Sequence, residues 1–154
     1  MAQVLFYIGD DRYALECRQV IEIVPRVALR RVPRAPHAVA GLMNYRGAAV
    51  PVIDVCRLML DRPCMQQLSS RIIIVPYHGT DSREHMLGLM VERVLETLQQ
   101  RNVVTADPGI SVTEAPYLGK IAVEKGSMTQ LLRIDDLLPQ SLRELLFAGH
   151  ADGP

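Results

Sequence analysis

Residues 32–55 read VPRAPHAVAGLMNYRGAAVPVIDV, and this stretch decides the fold. Pro33 and Pro36 bracket a short polar segment, a run of small and aliphatic residues follows, and Asn44-Tyr45-Arg46-Gly47 separates that run from a second one interrupted by Pro51. Two β-rich segments around Arg46-Gly47 read as paired strands. Pro36 is suited to the first position of a helix and Gly41 to its end, so residues 37–40 are expected to form about one helical turn. Pro51 has no N–H to give to a ladder, which predicts a strand edge or a bulge there.

Upstream, residues 3–8 (QVLFYI) are rich in β-formers and end at Gly9-Asp10-Asp11-Arg12, a composition that lets the chain reverse. Residues 13–18 alternate bulky apolar with small or charged side chains, the period of a half-buried strand. Val20, Ile23 and Val24 recur at helical spacing, so a short helical turn is expected over 19–24 before Pro25 stops it. Residues 27–32 return to strand-like composition.

Downstream, a helical turn is expected over 56–60. Residues 71–77 (RIIIVPY) give the strongest strand signal in the chain. Residues 86–98 fit both patterns: Val91, Val94, Leu95 and Leu98 lie on a helix face, while 86–91 (MLGLMV) suits a buried strand, the reading favoured by Gly88 and by the strands before it. Residues 105–116 read as a loop on Asp107-Pro108-Gly109, and 121–123 with 128–134 as a second hairpin. Ser141 and Glu144 have capping-box spacing, and Leu142, Leu145 and Leu146 line one face, so a C-terminal helix is expected to end at Gly149. Many short strands with few helices argue for small β-barrels or a sandwich.

At 154 residues the chain fits one domain able to bury roughly two thirds of its unfolded surface. No apolar run approaches the roughly 18 residues of a membrane span, and the start at Met1 has no secretory pattern, so a cytoplasmic protein without membrane insertion is expected. Cys17, Cys56 and Cys64 are an odd set without CxxC spacing, which argues against a disulfide framework and against a zinc site. Formal charge sums to zero but is polarised: residues 12–46 carry seven arginines against Glu16 and Glu22, and residues 107–152 are net acidic. That asymmetry favours oriented contact with a charged partner, although arginines on exposed faces are ordinarily just solvated.

His37, His78, His85 and His150 are scattered outside metal or catalytic spacings, the serines lack a nucleophile elbow, and the glycines lack dinucleotide and phosphate-loop spacing. Asp135-Asp136, just before a helix, suits the helix dipole better than chemistry. These patterns predict no enzyme, no cofactor and no metal. An alternative is a small β-barrel that binds single-stranded nucleic acid through Arg26, Arg30, Arg31 and Arg34, but zero net charge and the absence of aromatics among those arginines speak against it.

Phe6-Tyr7-Ile8-Gly9 to Tyr13-Ala14-Leu15-Glu16, Val20-Ile21-Glu22-Ile23, Val32-Pro33 to Pro36, Gly41-Leu42-Met43-Asn44-Tyr45-Arg46-Gly47 and Val50-Pro51-Val52-Ile53-Asp54 follow the order and spacing of the CheW-like pattern. Gly88-Leu89-Met90-Val91 and Leu131-Leu132-Arg133-Ile134 to Leu137-Leu138 resemble its later strands. The chain thus resembles the CheW-like family from about residue 3 to 147, more specifically in its first half.

The resemblance implies a mainly β fold of two small five-stranded SH3-like barrels packed through a shared apolar core, with short helices and a C-terminal helix. It implies one CheW-like domain over 1–148 and a flexible tail over 149–154. The implied role is a non-catalytic adaptor in a signalling array, joining the cytoplasmic tip of a chemoreceptor to the regulatory domain of a CheA-type histidine kinase. A cytoplasmic protein recruited to membrane-associated receptor arrays follows, and the start at Met1 favours a standalone adaptor over a domain cut from a kinase. Carried over by position, the receptor- or kinase-binding residues are Val20, Glu22, Gly41, Asn44, Arg46, Gly88 and Val91.

The residues themselves also allow plainer readings. Val20 would be core, Glu22 a solvated face, Gly41 and Gly47 backbone devices, and Arg46 a donor to carbonyls of its own turn. The chain departs from the family at Tyr45, where leucine is usual, and at Glu92-Arg93, where an Asp-Gly pair is common. A scaffold of a non-flagellar chemosensory system is one reading of those departures.

Overall fold

The computed structural model describes residues 2–78, 83–95, 98–99, 104–106, 116–124 and 126–147. Its strands fall into two sheets. The first joins β1 (Ala2–Ile8), β2 (Asp11–Glu16), β8 (Arg93–Val94), β9 (Leu98–Gln99), β10 (Val104–Ala106), β11 (Leu118–Glu124) and β12 (Ser127–Leu132) in the order β10-β11-β12-β2-β1-β8, with β9 also on β1. The second orders β3 (Glu22–Pro25), β4 (Val39–Tyr45), β5 (Ala48–Asp54), β6 (Arg71–His78) and β7 (Glu84–Val91) as β3-β6-β7-β5-β4. Helix α1 (Val55–Leu60) follows β5, and α2 (Gln140–Phe147) ends the described chain. The expected mainly β architecture of two packed β units is therefore observed, with two very short strands added to the first sheet.

The second sheet closes on itself. Arg30 and Leu42 exchange two backbone hydrogen bonds of 2.9 and 2.8 Å, so the chain leaving β3 returns onto β4 and joins the two ends of the strand order. Gly41 permits this crossing: a Cβ there would lie 2.6 Å from the Arg30 carbonyl oxygen and 2.9 Å from Leu29 Cβ. Residues 27–32, expected as a strand, make only this single bridge, because their backbone is used to cross over rather than to run alongside.

Strand β6 explains why its sequence is a continuous apolar run. Ile72, Ile73, Ile74 and Val75 are all fully buried, so side chains on both faces of the strand are covered. One apolar cluster takes in Phe6, Ile8 and Leu15 of the first sheet together with Ile53, Ile72, Leu89 and Leu137, so the two units share a core.

Several local expectations change. The helical spacing over 19–24 yields a three-residue 3-10 turn (Cys17–Gln19) and then strand β3, because Glu22 to Pro25 pair with Ile74 to Arg71 and tertiary pairing outweighs a weak local period. Residues 37–40 are not helical: Val39 N–H donates to the Pro36 carbonyl at 2.9 Å in a turn, and β4 starts at once. Pro51 is not on an edge strand. Leu42, opposite it, spends its hydrogen bonds on Arg30, so the Pro51 nitrogen faces the β7 side, where the parallel ladder begins only at Val52 opposite Gly88.

Residues 86–91 are strand, settled by pairing to β6 on one side and β5 on the other. Thr105 and Ala106 belong to β10 rather than to a loop, and the rest of that expected loop up to residue 115 lies outside the described residues. The second hairpin is present as β11 and β12. Helix α2 starts at Gln140, which places Ser141 inside it. Glu144 accepts from Gln140 Nε2 at 3.1 Å instead of completing a capping box, and Leu145 is exposed while Leu142 is buried. Gly149 and the expected tail lie outside the described residues.

Candidate partner-binding site

The β4–β5 hairpin turns on two residues, Arg46 (φ 51°) and Gly47 (φ 87°), between the paired Tyr45 and Ala48. Positive φ at both positions is the geometry of a two-residue turn that matches strand twist, and Asn44 Oδ1 locks it by accepting the Gly47 N–H at 2.9 Å. Arginine is costly there, since left-handed backbone disfavours a Cβ by about 1–2 kcal/mol. The turn projects Tyr45 and Arg46 over Glu22 of β3. The Tyr45 hydroxyl donates to Glu22 Oε1 at 2.5 Å, and Arg46 Nη2 donates to the same oxygen at 2.9 Å. The Arg46 guanidinium also sits 5.4 Å from the Tyr45 ring centre. The hydrogen bond to Glu22 pushes the Tyr45 phenol above its ordinary value, because the carboxylate prefers a protonated donor, while Arg46 pulls the other way. Closure of the barrel creates this cluster, since β3 and β4 are the two ends of the strand order.

The seven candidate residues therefore separate. Glu22 and Arg46 meet at the surface, Arg46 with 74% of its side chain open, and Asn44 is exposed beside them, holding the turn through Gly47 N–H. Val20 is half-buried against the core, one residue from the exposed Ile21. Gly41 lies under the crossing chain. Gly88 is buried where a Cβ would lie 2.9 Å from Val52 Cγ2 and 3.0 Å from Ile72 Cγ2, and Val91 is fully enclosed. These last three are buried in the barrel wall. Tyr45, noted in the sequence only as a departure from leucine, turns out to hold Glu22.

Two further clusters were not legible in the sequence. Glu92, buried where the chain passes from β7 to β8, accepts from Gly9 N at 2.8 Å, from Met65 N at 2.7 Å and from both terminal nitrogens of Arg62. Chiefly through the Arg62 hydrogen bonds, its carboxyl is held down at about 2. It thereby ties the β1–β2 turn to the 61–70 connection. The second cluster is Asp54, Cys56 and Cys64, all buried, whose oxygen and sulfur atoms lie within 4.8 Å of one another. Asp54 caps α1 by accepting from Arg57 N at 3.0 Å and also accepts from Cys64 N. The Cys64 thiol is pushed far up, first by its hydrogen bond with Cys56, then by burial and by Asp54.

A closed five-stranded unit packed on a second β unit is an architecture shared with a known class of scaffolding protein. A family model described as the CheW-like domain matches residues 3–142, and the chain belongs to that family. Chemotaxis protein CheW of Helicobacter pylori is 26% identical over 135 residues, spanning 86% of this chain and 78% of that protein. Chemotaxis protein CheW of Rhizobium meliloti is 25% identical over 143 residues, spanning 92% and 89%. The crystal structure of scaffolding protein TtCheW from Thermoanaerobacter tengcongensis matches with a TM-score of 0.74 at 26% identity, covering 90% of this chain and 87% of that one.

Proposed function

We propose that this chain is a non-catalytic chemosensory adaptor that couples the cytoplasmic tip of methyl-accepting chemoreceptors to the regulatory domain of a CheA-type histidine kinase. The observation that carries the reading is the Glu22-Tyr45-Arg46 cluster at the barrel seam of a CheW-like fold. Arg46 keeps most of its guanidinium in water while its backbone bears strain, the combination that accompanies residues kept for contact rather than for stability. Glu22, Asn44 and Arg46 form the contact surface, with Val20 beside it and Gly41, Gly88 and Val91 supporting it from within. Residues 1–148 act as one unit, working in the cytoplasm at receptor arrays. No helix among the described residues is long and apolar enough to cross a membrane. The nucleic-acid alternative is not favoured, since the matched relatives above are named as chemotaxis proteins.

The reading is tested by pull-down of the purified chain with receptor cytoplasmic fragments and with a CheA-type kinase. Binding to both at micromolar concentration is expected, and binding to neither overturns it.

A further inference from the structure

We propose that Asp54, Cys56 and Cys64 form a site for a thiophilic divalent cation of the zinc and cadmium type. Neither cysteine belongs to a recognised metal-binding spacing, yet the end of β5, the start of α1 and the connection before β6 bring one carboxylate and two thiols to within 4.8 Å of each other. Tetrahedral zinc with sulfur at about 2.3 Å and oxygen at about 2.0 Å needs ligand atoms roughly 3.5–3.8 Å apart, a contraction that rotation of two unbranched side chains supplies. The donor set of two sulfurs and one oxygen, with a fourth position open, suits a soft closed-shell ion far better than calcium or magnesium.

The surroundings are built as an outer shell. The Arg57 N–H donates to Asp54 Oδ1 at 3.0 Å and the Cys64 N–H is shared between both oxygens at 3.1 and 3.2 Å, orienting the carboxylate as a ligating carboxylate is oriented. Arg57 Nε lies 3.7 Å from Asp54 Oδ2 without a hydrogen bond among the described residues, so the guanidinium pairs loosely with the carboxylate and places one positive charge beside the site. A solvent-open cavity of about 440 Å³, bounded in part by Arg26, Asp54, Arg57 and Met90, reaches the Asp54 carboxylate and provides an access route from that side.

The exchange balances. The cation forms two bonds to sulfur and one to oxygen, each thiol releases its proton to solvent, and no electron is transferred. Two thiolates and one carboxylate carry three negative charges against two on the ion and one on Arg57, so the filled site is neutral and tolerates burial.

The experiment uses the reduced, chelator-treated full chain titrated with Cd²⁺, followed by ultraviolet sulfur-to-cadmium charge transfer and by proton release in weak buffer. The expected result is a band saturating at one equivalent with two protons released, reversal by excess Zn²⁺, and a melting temperature raised by Zn²⁺. Cys17→Ser keeps the band, while Cys56→Ser and Cys64→Ser weaken metal binding by more than about tenfold. No saturable band in the folded wild type, fewer than two protons released, no thermal shift with Zn²⁺, or a band lost with Cys17→Ser overturns the proposal. So does an undiminished band in a Cys64→Ser variant with native circular dichroism. If the serine variants do not fold, the wild-type titration, proton count and thermal shift decide the outcome.

Discussion

Arg62 donates both terminal nitrogens to the two carboxylate oxygens of Glu92, at 2.9 and 3.0 Å, in a bidentate pair whose acid is buried and whose base is partly in water. Because Gly9 and Met65 add backbone donors to the same carboxylate, Glu92 joins the first hairpin to the connection between α1 and β6.

This pair gives stability a pH dependence of definite sign. The folded Glu92 carboxyl is held at about 2, below its ordinary 4.5, so the unfolded chain binds more protons between those values. The stabilisation is fully present above about pH 4.5 and is lost as pH falls toward 2. Urea unfolding at pH 7 and at pH 3 should show the loss in the wild type. Glu92→Gln should be destabilised at pH 7 by about 1–3 kcal/mol, with a flatter profile below pH 4.5. Equal profiles for the two proteins would remove Glu92 from this role.

Arg46 separates contact from structure. Asparagine tolerates left-handed backbone better than arginine, so Arg46→Asn should leave stability unchanged or raise it by up to about 1 kcal/mol, since the exposed Glu22 pair is worth less than that. Receptor-coupled kinase control should nevertheless fall several-fold. A variant that melts early and keeps control would make Arg46 a turn residue only.

Glycine at 41 and at 88 answers to different forces. Gly41→Ala places a Cβ 2.6 Å from a backbone carbonyl and should cost more than about 3 kcal/mol, with faster hydrogen exchange at the Arg30 and Leu42 amides as the barrel seam opens. Gly88→Ala meets side-chain methyl groups that can shift, and about 1–3 kcal/mol is expected. Denaturant midpoints and exchange rates check the order.

Tyr45→Phe removes one of the two donors on Glu22 while keeping the ring. Stability should change by less than about 1 kcal/mol, because Glu22 can turn to water. Affinity for a receptor fragment should change measurably, and titration calorimetry on the two proteins reads the difference. Identical affinities would show that the hydroxyl plays no part in recognition.

Legibility followed the range of the interactions. The β4–β5 hairpin, strand β6 and the β11–β12 hairpin were readable because turn residues and apolar runs act locally. The turn over 19–24 was misread because Val20, Ile23 and Val24 happen to lie at helical spacing, and only the β6 partner makes that segment a strand. Of the edge or bulge expected at Pro51, the edge is not found, while the β4–β5 register shifts beside it at Val52 and Ile53, because whether a missing N–H matters depends on which neighbour it faces.

By itself the sequence determined the mainly β class, the Arg46-Gly47 turn and membership in the CheW-like family, since those rest on local propensity and on ordered motifs. Tertiary structure alone decided that Arg30 closes onto Leu42, that Glu22 thereby meets Tyr45 and Arg46, and that Cys56 and Cys64 converge on Asp54. Each of those contacts exists because strand pairing or chain closure brings separated segments to one place, and residue spacing along the chain carries no record of that distance.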